Sequence, residues 1–432
     1  MTKDKIQSDI RTSVLTTIIS RRMLVALIMG FASGLPLLLT ISVLQAWMKE
    51  EGVDLTVIGM MGLVGLPYTV KFLWAPFLDR YTLPFLGRRR GWLLFAQLAL
   101  IASIVALGAS DPGKSPWVVA FSAFLVTFFS ASQDIVIDAY RREDLSDEEL
   151  GLGSSFAING YRVGMLLASG GGLILADYIP FQMVYVIMAC CMLPGVLTTL
   201  LTPEPDIVGG TPKTLKEAVF HPLVEYFSRP EAVWILAFIL FYKIGDTMAS
   251  AMTTPFYLDI GFSKREIGAI VKLFGFWATI SGSVIGGVIM LRLGINRCLW
   301  MFGVLQALST AGFAVLARIG HSIPVLSAVI TFENFSSGMG TAAYAAYMAS
   351  ITNKRFTATQ YALLSSLMGV PRVFASAPTG FLAKHIGWEG FFVVCTLAAL
   401  PGMALLAKIA PWRLKTRIDK TNATRPTTQN GD

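Results

Sequence analysis

Charged residues, histidine and cysteine are scarce in this chain. Only 14% of its 432 residues are charged, 3 are histidine and 4 are cysteine, whereas 54% are hydrophobic. The mean hydropathy is +0.62. A soluble globule of this size needs more polar residues to cover its surface. The composition therefore excludes a soluble protein and indicates an integral membrane protein.

The same scarcity excludes several kinds of site. The cysteines lie in or beside hydrophobic runs and have no metal-ligand spacing, so we expect no disulfide framework. The histidines lie outside those runs, so we expect neither a metal site nor a histidine-based catalytic centre. No cofactor is expected.

The hydrophobic runs predict twelve membrane spans, each close to the roughly 20 apolar residues that a bilayer core requires. The predicted spans are 23–47, 57–80, 92–110, 117–140, 151–176, 183–202, 232–258, 265–291, 298–317, 323–349, 357–383 and 389–410. They divide the chain into two six-helix bundles, 23–202 and 232–410. The connector 203–231 contains an amphipathic helix, and 1–22 and 411–432 are terminal segments.

Basic residues predict how the chain is oriented. Most of the Lys and Arg residues outside the spans fall on the side of the amino terminus, so the positive-inside rule places both termini and the connector in the cytoplasm. The net charge of +8 would suggest nucleic acid in a soluble protein. Here anionic lipid and topology account for it, and we expect membrane lipid, not nucleic acid, as a partner.

The two halves of the chain are related. Seven residues of the first half recur in the second at a nearly constant offset: Gly52/Gly261, Ile58/Ile267, Gly59/Gly268, Ser155/Ser365, Arg162/Arg372, Val163/Val373 and Gly170/Gly380. Parallel repeats of six spans, related by a pseudo-twofold axis, are typical of the major facilitator fold. The fold class predicted is an all-α membrane protein of this type.

Nine ionisable residues lie well inside the spans: Lys71, Asp134, Asp138, Arg162, Lys243, Asp246, Lys272, Glu333 and Arg372. None falls in the third, sixth, ninth or twelfth span, which are peripheral in this fold. A charge that faces lipid is costly, so this distribution indicates a polar cavity between the bundles.

At this point the chain resembles the AmpG muropeptide permease family over residues about 25 to 410. The motifs that carry the resemblance are Gly30–Pro36, Lys71–Pro76, Asp79–Tyr81, Gly87–Gly91, Ser130–Ala139, Gly160–Met165, Tyr242–Asp246, Phe332–Phe335, Gly338–Gly340 and Ala358–Ser365. The resemblance implies a bacterial inner-membrane symporter that uses the proton motive force to import a small-molecule sugar-peptide, GlcNAc-1,6-anhydro-MurNAc with or without its stem peptide. We expect a monomer without enzymatic activity.

Two features depart from the family pattern. Some members carry two further spans after the twelfth, whereas this chain has a polar, basic tail after Pro411. The stretch Tyr81–Leu86 also separates Asp79 and Arg80 from Gly87, unlike the usual facilitator loop.

Three carboxylates are the candidates for proton coupling: Asp134, Asp246 and Glu333. Asp138 follows Asp134 by one helical turn, and two carboxylates on one face repel each other when both are ionised, which makes Asp134 a candidate proton carrier. Asp246 lies one turn after Lys243, so the two residues either take part in transport or only form a local ion pair. Glu333 either carries the proton or only neutralises Lys272.

Ten residues are candidates for substrate binding: Lys71, Arg162, Lys243, Lys272, Arg372, Gln45, Gln133, Tyr161, Asn334 and Tyr344. Guanidinium groups suit the carboxylates of a lactyl group or a stem peptide. Lys71 is either a carboxylate ligand or the partner of Asp134. The uncharged residues either bind sugar hydroxyls or only link helices.

The loop after the second span is the candidate gate. The gating residues predicted are Asp79, Arg80, Arg88, Arg89 and Asp138. The arginine cluster lies at the cytoplasmic edge, where we expect it to latch an outward-open state. Asp138 lies near the same edge, and pairing with Arg80, Arg141 or the cluster is its expected role.

Two other functions stay open at this stage. One is transport of another bulky anion such as acetyl-CoA, since acetyl-CoA transporters are similar to this family. The other is a polytopic membrane enzyme, which would require catalytic acids or metal ligands near one face, whereas the charges here lie at mid-depth in both halves.

Overall fold

The computed structural model describes residues 16–206, 214–375 and 378–412. All regular secondary structure in these ranges is helical. Most of both predicted terminal segments, residues 1–15 and 413–432, lies outside the described residues.

Thirteen helical segments follow one another along the described chain. They are α1 (Arg21–Glu50), α2 (55–80), α3 (Arg88–Gly108), α4 (Pro116–Asp144), α5 (150–176), α6 (Phe181–Leu201), α7 (Leu215–Phe227), α8 (Ala232–Asp259), α9 (264–293), α10 (Ile295–Ile319), α11 (Ile323–Ile351), α12 (357–374) and α13 (Thr379–Ile409). In the part of the chain that the structure describes, 8 of them are long and apolar enough to cross a membrane.

The other predicted spans correspond to α2, α5, α11 and α12. Of these, α2 is interrupted by the 3₁₀ turns Met61–Gly65 and Lys71–Leu73, and α5 by the π turn Leu167–Gly171. Near the end of the chain, Gly387 has non-helical backbone angles (φ 70°, ψ 171°), so a kink within the predicted turn 384–388 divides Thr379–Ala398 into two helices. Glycine tolerates this left-handed conformation without a Cβ clash. Twelve membrane crossings stay a prediction.

Helices α1 and α5 approach each other at backbone contact. A Cβ atom added to Gly30 would lie 2.1 Å from the carbonyl oxygen of Ala157, and one added to Gly34 would lie 2.0 Å from that of Tyr161. From the other side, a Cβ atom on Gly160 would lie 1.9 Å from the carbonyl oxygen of Leu27. Only glycine permits this distance, so the small-residue spacing holds the first bundle together.

The two bundles pack against each other through α5 with α9 and α11, and through α12 with α2 and α4. A Cβ atom added to Gly151 would lie 2.6 Å from Met290, where α5 begins and α9 ends. The connector helix α7 covers this end of the molecule and packs on α2 and α12. We call this end the connector face; it is the side predicted to be cytoplasmic.

Helix α7 has two apolar sides. Its buried side consists of Ala218, Pro222 and Tyr226, one turn apart. Phe220, Val224 and Phe227 are exposed on the other. The helix runs through Pro222 without ending. This arrangement fits a helix that lies on a membrane surface against the bundles.

Candidate functional site

The first cluster of polar groups lies inside the first bundle, around Asp134 of α4. The hydroxyl of Ser33 on α1 donates a hydrogen bond to its carboxylate at 2.5 Å. The buried Lys71 of α2 interacts electrostatically with Asp134. Side chains of three helices therefore lie near this carboxylate, and the position of Lys71 is compatible with its predicted role as the partner of Asp134.

The second cluster lies in the second bundle, around Asp246 of α8. Lys243 Nζ lies 2.8 Å from Asp246 Oδ2 and also donates to the hydroxyl of Thr341 at 3.2 Å. The side chain of Asp246 interacts with that of Glu333 on α11. The hydroxyl of Ser309 on α10 donates to Glu333 at 2.6 Å. Two neighbouring carboxylates repel each other when both are ionised, and this repulsion favours uptake of a proton by one of them.

One residue of the first bundle, Arg162, also interacts with this second cluster. It belongs to α5, and its guanidinium interacts electrostatically with Asp246 of the opposite bundle. A cavity of about 330 Å³ lies here, lined by Arg162, Val271, Phe276, Thr279, Asn334 and Ser337. The cavity is lined by both bundles and includes four side chains that can hydrogen-bond, those of Arg162, Thr279, Asn334 and Ser337. The hydroxyl of Thr279 donates to Asn334 Oδ1 at 2.9 Å.

A third cluster closes the connector face. The carboxylate of Asp79 on α2 accepts hydrogen bonds from the backbone N–H of Thr359 at 2.8 Å and from its hydroxyl at 2.7 Å. Arg89 on α3 lies 2.8 Å from Asp79 and 2.6 Å from Glu143 at the end of α4. Arg88 also pairs with Glu143, at 2.8 Å. These charged side chains are buried, and the contact between Asp79 and Thr359 joins the two bundles.

Two flanking groups complete this third cluster. Arg141 lies 2.8 Å from Asp138 on its own helix and donates to the hydroxyl of Tyr361 on α12 at 3.1 Å. Glu204, just after α6, accepts from the backbone N–H of Arg89 at 2.6 Å and of Arg90 at 3.0 Å. Those amides belong to the first turn of α3 and have no partner within the helix, so Glu204 caps α3 from another part of the chain.

Comparison with known proteins decides the family. The family model described as Major Facilitator Superfamily matches residues 23–376 and 246–429. The anhydromuropeptide permease of Escherichia coli K12 is 45% identical over 387 residues, which cover 89% of this chain and 79% of that protein. The chain belongs to the AmpG family of the major facilitator superfamily. It is therefore a transporter, not an enzyme, and a multi-pass protein of the bacterial inner membrane.

Two further comparisons agree with this assignment. A protein of Rickettsia conorii named putative transporter AmpG 4 is 33% identical, over 88% of this chain and 94% of that protein. The crystal structure of the human organic anion transporter MFSD10 superposes with a TM-score of 0.62, over 89% of this chain and 98% of that chain. At 15% sequence identity, that likeness shows the fold alone.

Two of the residues predicted to bind substrate link helices in this AmpG-family protein. The side-chain amide of Gln133 donates to the carbonyl oxygen of Ala32 at 2.9 Å, and the hydroxyl of Tyr344 to that of Ile239 at 2.6 Å. Both residues are almost fully buried, at 0% and 1% exposure. A side chain in that position does not reach the cavity, so the linking role fits both.

The remaining predicted residues fall in different places. Asn334 lines the cavity, Tyr161 interacts with Tyr68 near Asp134, and Gln45 is half-buried toward the far end of α1. Arg80 stacks on Tyr81, apart from the connector-face cluster. The side chains of Lys272 and Arg372 lie outside the described residues.

Sequence reasoning missed Glu143, Glu204 and Thr359, which take part in most of the connector-face contacts described above. Glu143 lies among charged residues at the end of a span and looks like a solvated residue. Glu143 follows Asp138 by five residues, on the span whose end was predicted to meet the arginine cluster. This position is the signal that could have identified it.

Proposed function

We propose that this AmpG-family transporter is a proton-coupled symporter that imports anhydromuropeptides from the periplasm into the cytoplasm for cell-wall recycling. The substrate proposed is GlcNAc-1,6-anhydro-MurNAc with or without its stem peptide. The name of the E. coli relative supports the substrate class. The observation that carries the mechanism is the carboxyl pair Asp246 and Glu333 beside Arg162 of the opposite bundle.

Arg162 supplies the link between substrate and proton. Its planar guanidinium matches a carboxylate in bidentate geometry, and the lactyl group or stem peptide of the substrate provides one. When that carboxylate engages Arg162, Asp246 and Glu333 lose part of the positive charge that compensates them. A proton taken up by the pair restores the balance, so substrate and proton load together.

Lys243 supplies a second positive charge beside the same carboxyl pair. It stays bound to Asp246 at 2.8 Å and to Thr341, which keeps one positive charge within the second bundle when Arg162 turns to the substrate. In the first bundle, Asp134 with Lys71 and Ser33 forms a second polar cluster, and we propose Asp134 as a further proton site.

The packing of the bundles supports a mechanism of alternating access. They are joined at the connector face by Asp79 and Thr359, while both bundles line the open cavity beside Arg162. We infer that this conformation faces outward and that Asp79, Arg88 and Arg89 latch it. Loading of substrate and proton then favours release of the latch and inward opening.

Uptake in membrane vesicles tests the proposal. Labelled anhydromuropeptide is offered to right-side-out and inverted vesicles with and without a pH gradient. We expect uptake into right-side-out vesicles to rise with an acidic exterior and to fall when a protonophore removes the gradient. Movement of the sugar that ignores the gradient would refute proton coupling.

The cations Arg162 and Lys243 would also suit another bulky anion such as acetyl-CoA. Labelled acetyl-CoA in the same vesicles separates the two substrates. Gradient-driven uptake of acetyl-CoA without uptake of the sugar would replace the substrate proposed here.

A further inference from the structure

An aromatic groove lies on the outer surface of the first bundle, between α2, α3 and α4. It has a volume of about 380 Å³, and its walls include Trp74, Phe77, Trp92, Phe95, Phe128 and Phe129. Phe77 and Phe95 are 44% and 47% exposed, so the groove opens away from the protein. At this position in a membrane protein, the surrounding medium is lipid.

The groove offers little hydrogen bonding to a ligand. The indole N–H of Trp74 already donates to the hydroxyl of Ser132 at 3.0 Å, and that of Trp92 to the carbonyl oxygen of Tyr81 at 2.6 Å. A sugar or peptide would lose its hydration there without replacement, whereas a hydrocarbon chain loses nothing. The groove therefore fits an acyl chain and not the transported substrate.

A cation lies beside this groove at the connector face. Arg80 follows Phe77 by three residues, and its guanidinium carbon lies 5.3 Å from the centre of the Tyr81 ring. The Tyr81 and Phe77 rings are 4.5 Å apart, so the aromatic surface runs unbroken from Arg80 into the groove. No carboxylate in the described part of the chain forms an ion pair with Arg80 within 4.0 Å.

We propose that this groove binds one anionic phospholipid, with an acyl chain along the aromatic walls and the phosphate on Arg80. The charge of Arg80 complements an anionic headgroup, and a guanidinium binds phosphate oxygens in bidentate geometry. Arg80 is next to Asp79 in the sequence, so the bound lipid adjoins the contact between Asp79 and Thr359. The proposal does not depend on the transported substrate.

Tryptophan fluorescence tests this site in the full chain. The protein is reconstituted into phosphatidylcholine with increasing fractions of brominated phosphatidylglycerol or, separately, brominated phosphatidylcholine, whose acyl chains quench nearby tryptophan. The double variant Trp74→Phe/Trp92→Phe isolates the contribution of these two among the 9 tryptophans. We expect brominated phosphatidylglycerol to reach half-maximal quenching of that contribution at about fivefold lower mole fraction than brominated phosphatidylcholine. A factor of about five is what one cation contributes to binding near an anionic headgroup.

Arg80→Gln should remove the difference between the two lipids. The matched control is Arg292→Gln, which removes an exposed cation at the end of α9, where it faces the same side of the membrane. Equal quenching by both lipids in the native chain, or a preference for the anionic lipid that persists in Arg80→Gln, would overturn the proposal. If Arg80→Gln fails to fold, the comparison of the two lipids in the native chain still decides it.

Discussion

Asp79 caps a helix of the opposite bundle: its carboxylate accepts from the backbone N–H and the hydroxyl of Thr359, in the first turn of α12. The first amides of a helix have no partner within it, and the positive end of the helix dipole favours an anion there. This contact therefore depends on the charge of Asp79 as well as on its shape.

Asp79→Asn should weaken closure of the connector face. The amide retains the size of the side chain but loses the charge, which is worth about 0.3–1 kcal/mol at a helix terminus and up to about 2 when partly buried. Spin labels on the connector-face ends of α2 and α12 would show a larger population at long distance. Asp111→Asn, in an exposed pair with Lys114, is the control, and an unchanged distance distribution in Asp79→Asn would contradict the assignment.

Alanine at Arg88 and Arg89 should impair the transport rate more than substrate affinity. Arg89 lies between Asp79 and Glu143, and removing one partner of a buried ion pair costs about 3–5 kcal/mol because the other charge stays buried. The latch would fail while the cavity is unchanged. Measured kcat and KM separate the effects; an unchanged rate with lost affinity would show that these arginines bind substrate.

Asp246→Asn and Glu333→Gln should uncouple transport from the pH gradient. Each removes one member of the carboxyl pair, so the remaining carboxyl no longer has a neighbouring carboxylate that drives it to take up a proton. We expect exchange of substrate across the membrane to persist while uphill accumulation is lost. Asp134→Asn tests the proposed proton site of the first bundle separately. Full accumulation in a variant that combines Asp134→Asn, Asp246→Asn and Glu333→Gln would refute the proton assignment.

Arg162→Ala should raise KM by about 10- to 100-fold, since a hydrogen bond to a charged group contributes about 1.5–3 kcal/mol. Arg162→Lys retains the charge without the bidentate geometry and should fall between the native chain and Arg162→Ala. Arg318→Ala, an exposed arginine at the end of α10, is the matched control. Native KM in Arg162→Ala would exclude a substrate contact.

Glu204→Ala should lower thermal stability by about 1 kcal/mol, the usual value of a helix cap. It frees the amides of Arg89 and Arg90 and loosens the start of α3. Unfolding in detergent, followed by fluorescence, provides the measurement. Glu148→Ala, in the loop before α5, is a suitable control, and equal loss of stability in both variants would argue against a cap.

Local patterns in the sequence predicted local structure well. The interval of three residues between Lys243 and Asp246 indicated a local ion pair as one of two possible roles, and the two side chains lie 2.8 Å apart. This contact joins residues one turn apart, where helix geometry alone brings the side chains together.

Contacts between distant segments could not be predicted in this way. Thr359 meets Asp79 only after the two bundles have packed, and Glu204 reaches α3 only because α6 returns the chain to its start. Gln133 and Tyr344 show the same limit, since polarity in a span does not reveal whether a side chain faces a cavity or a carbonyl of the next helix.

The backbone contact between α1 and α5 restricts how the first bundle can move. Side chains that interdigitate can exchange rotamers and allow helices to slide, but here the glycines of each helix rest on carbonyl oxygens of the other. Translation by a fraction of a turn would bring a side chain against backbone. The two helices must therefore tilt as one rigid body, and a small separation at Asp79 and Thr359 would be matched by an opposite displacement at the other end of the membrane.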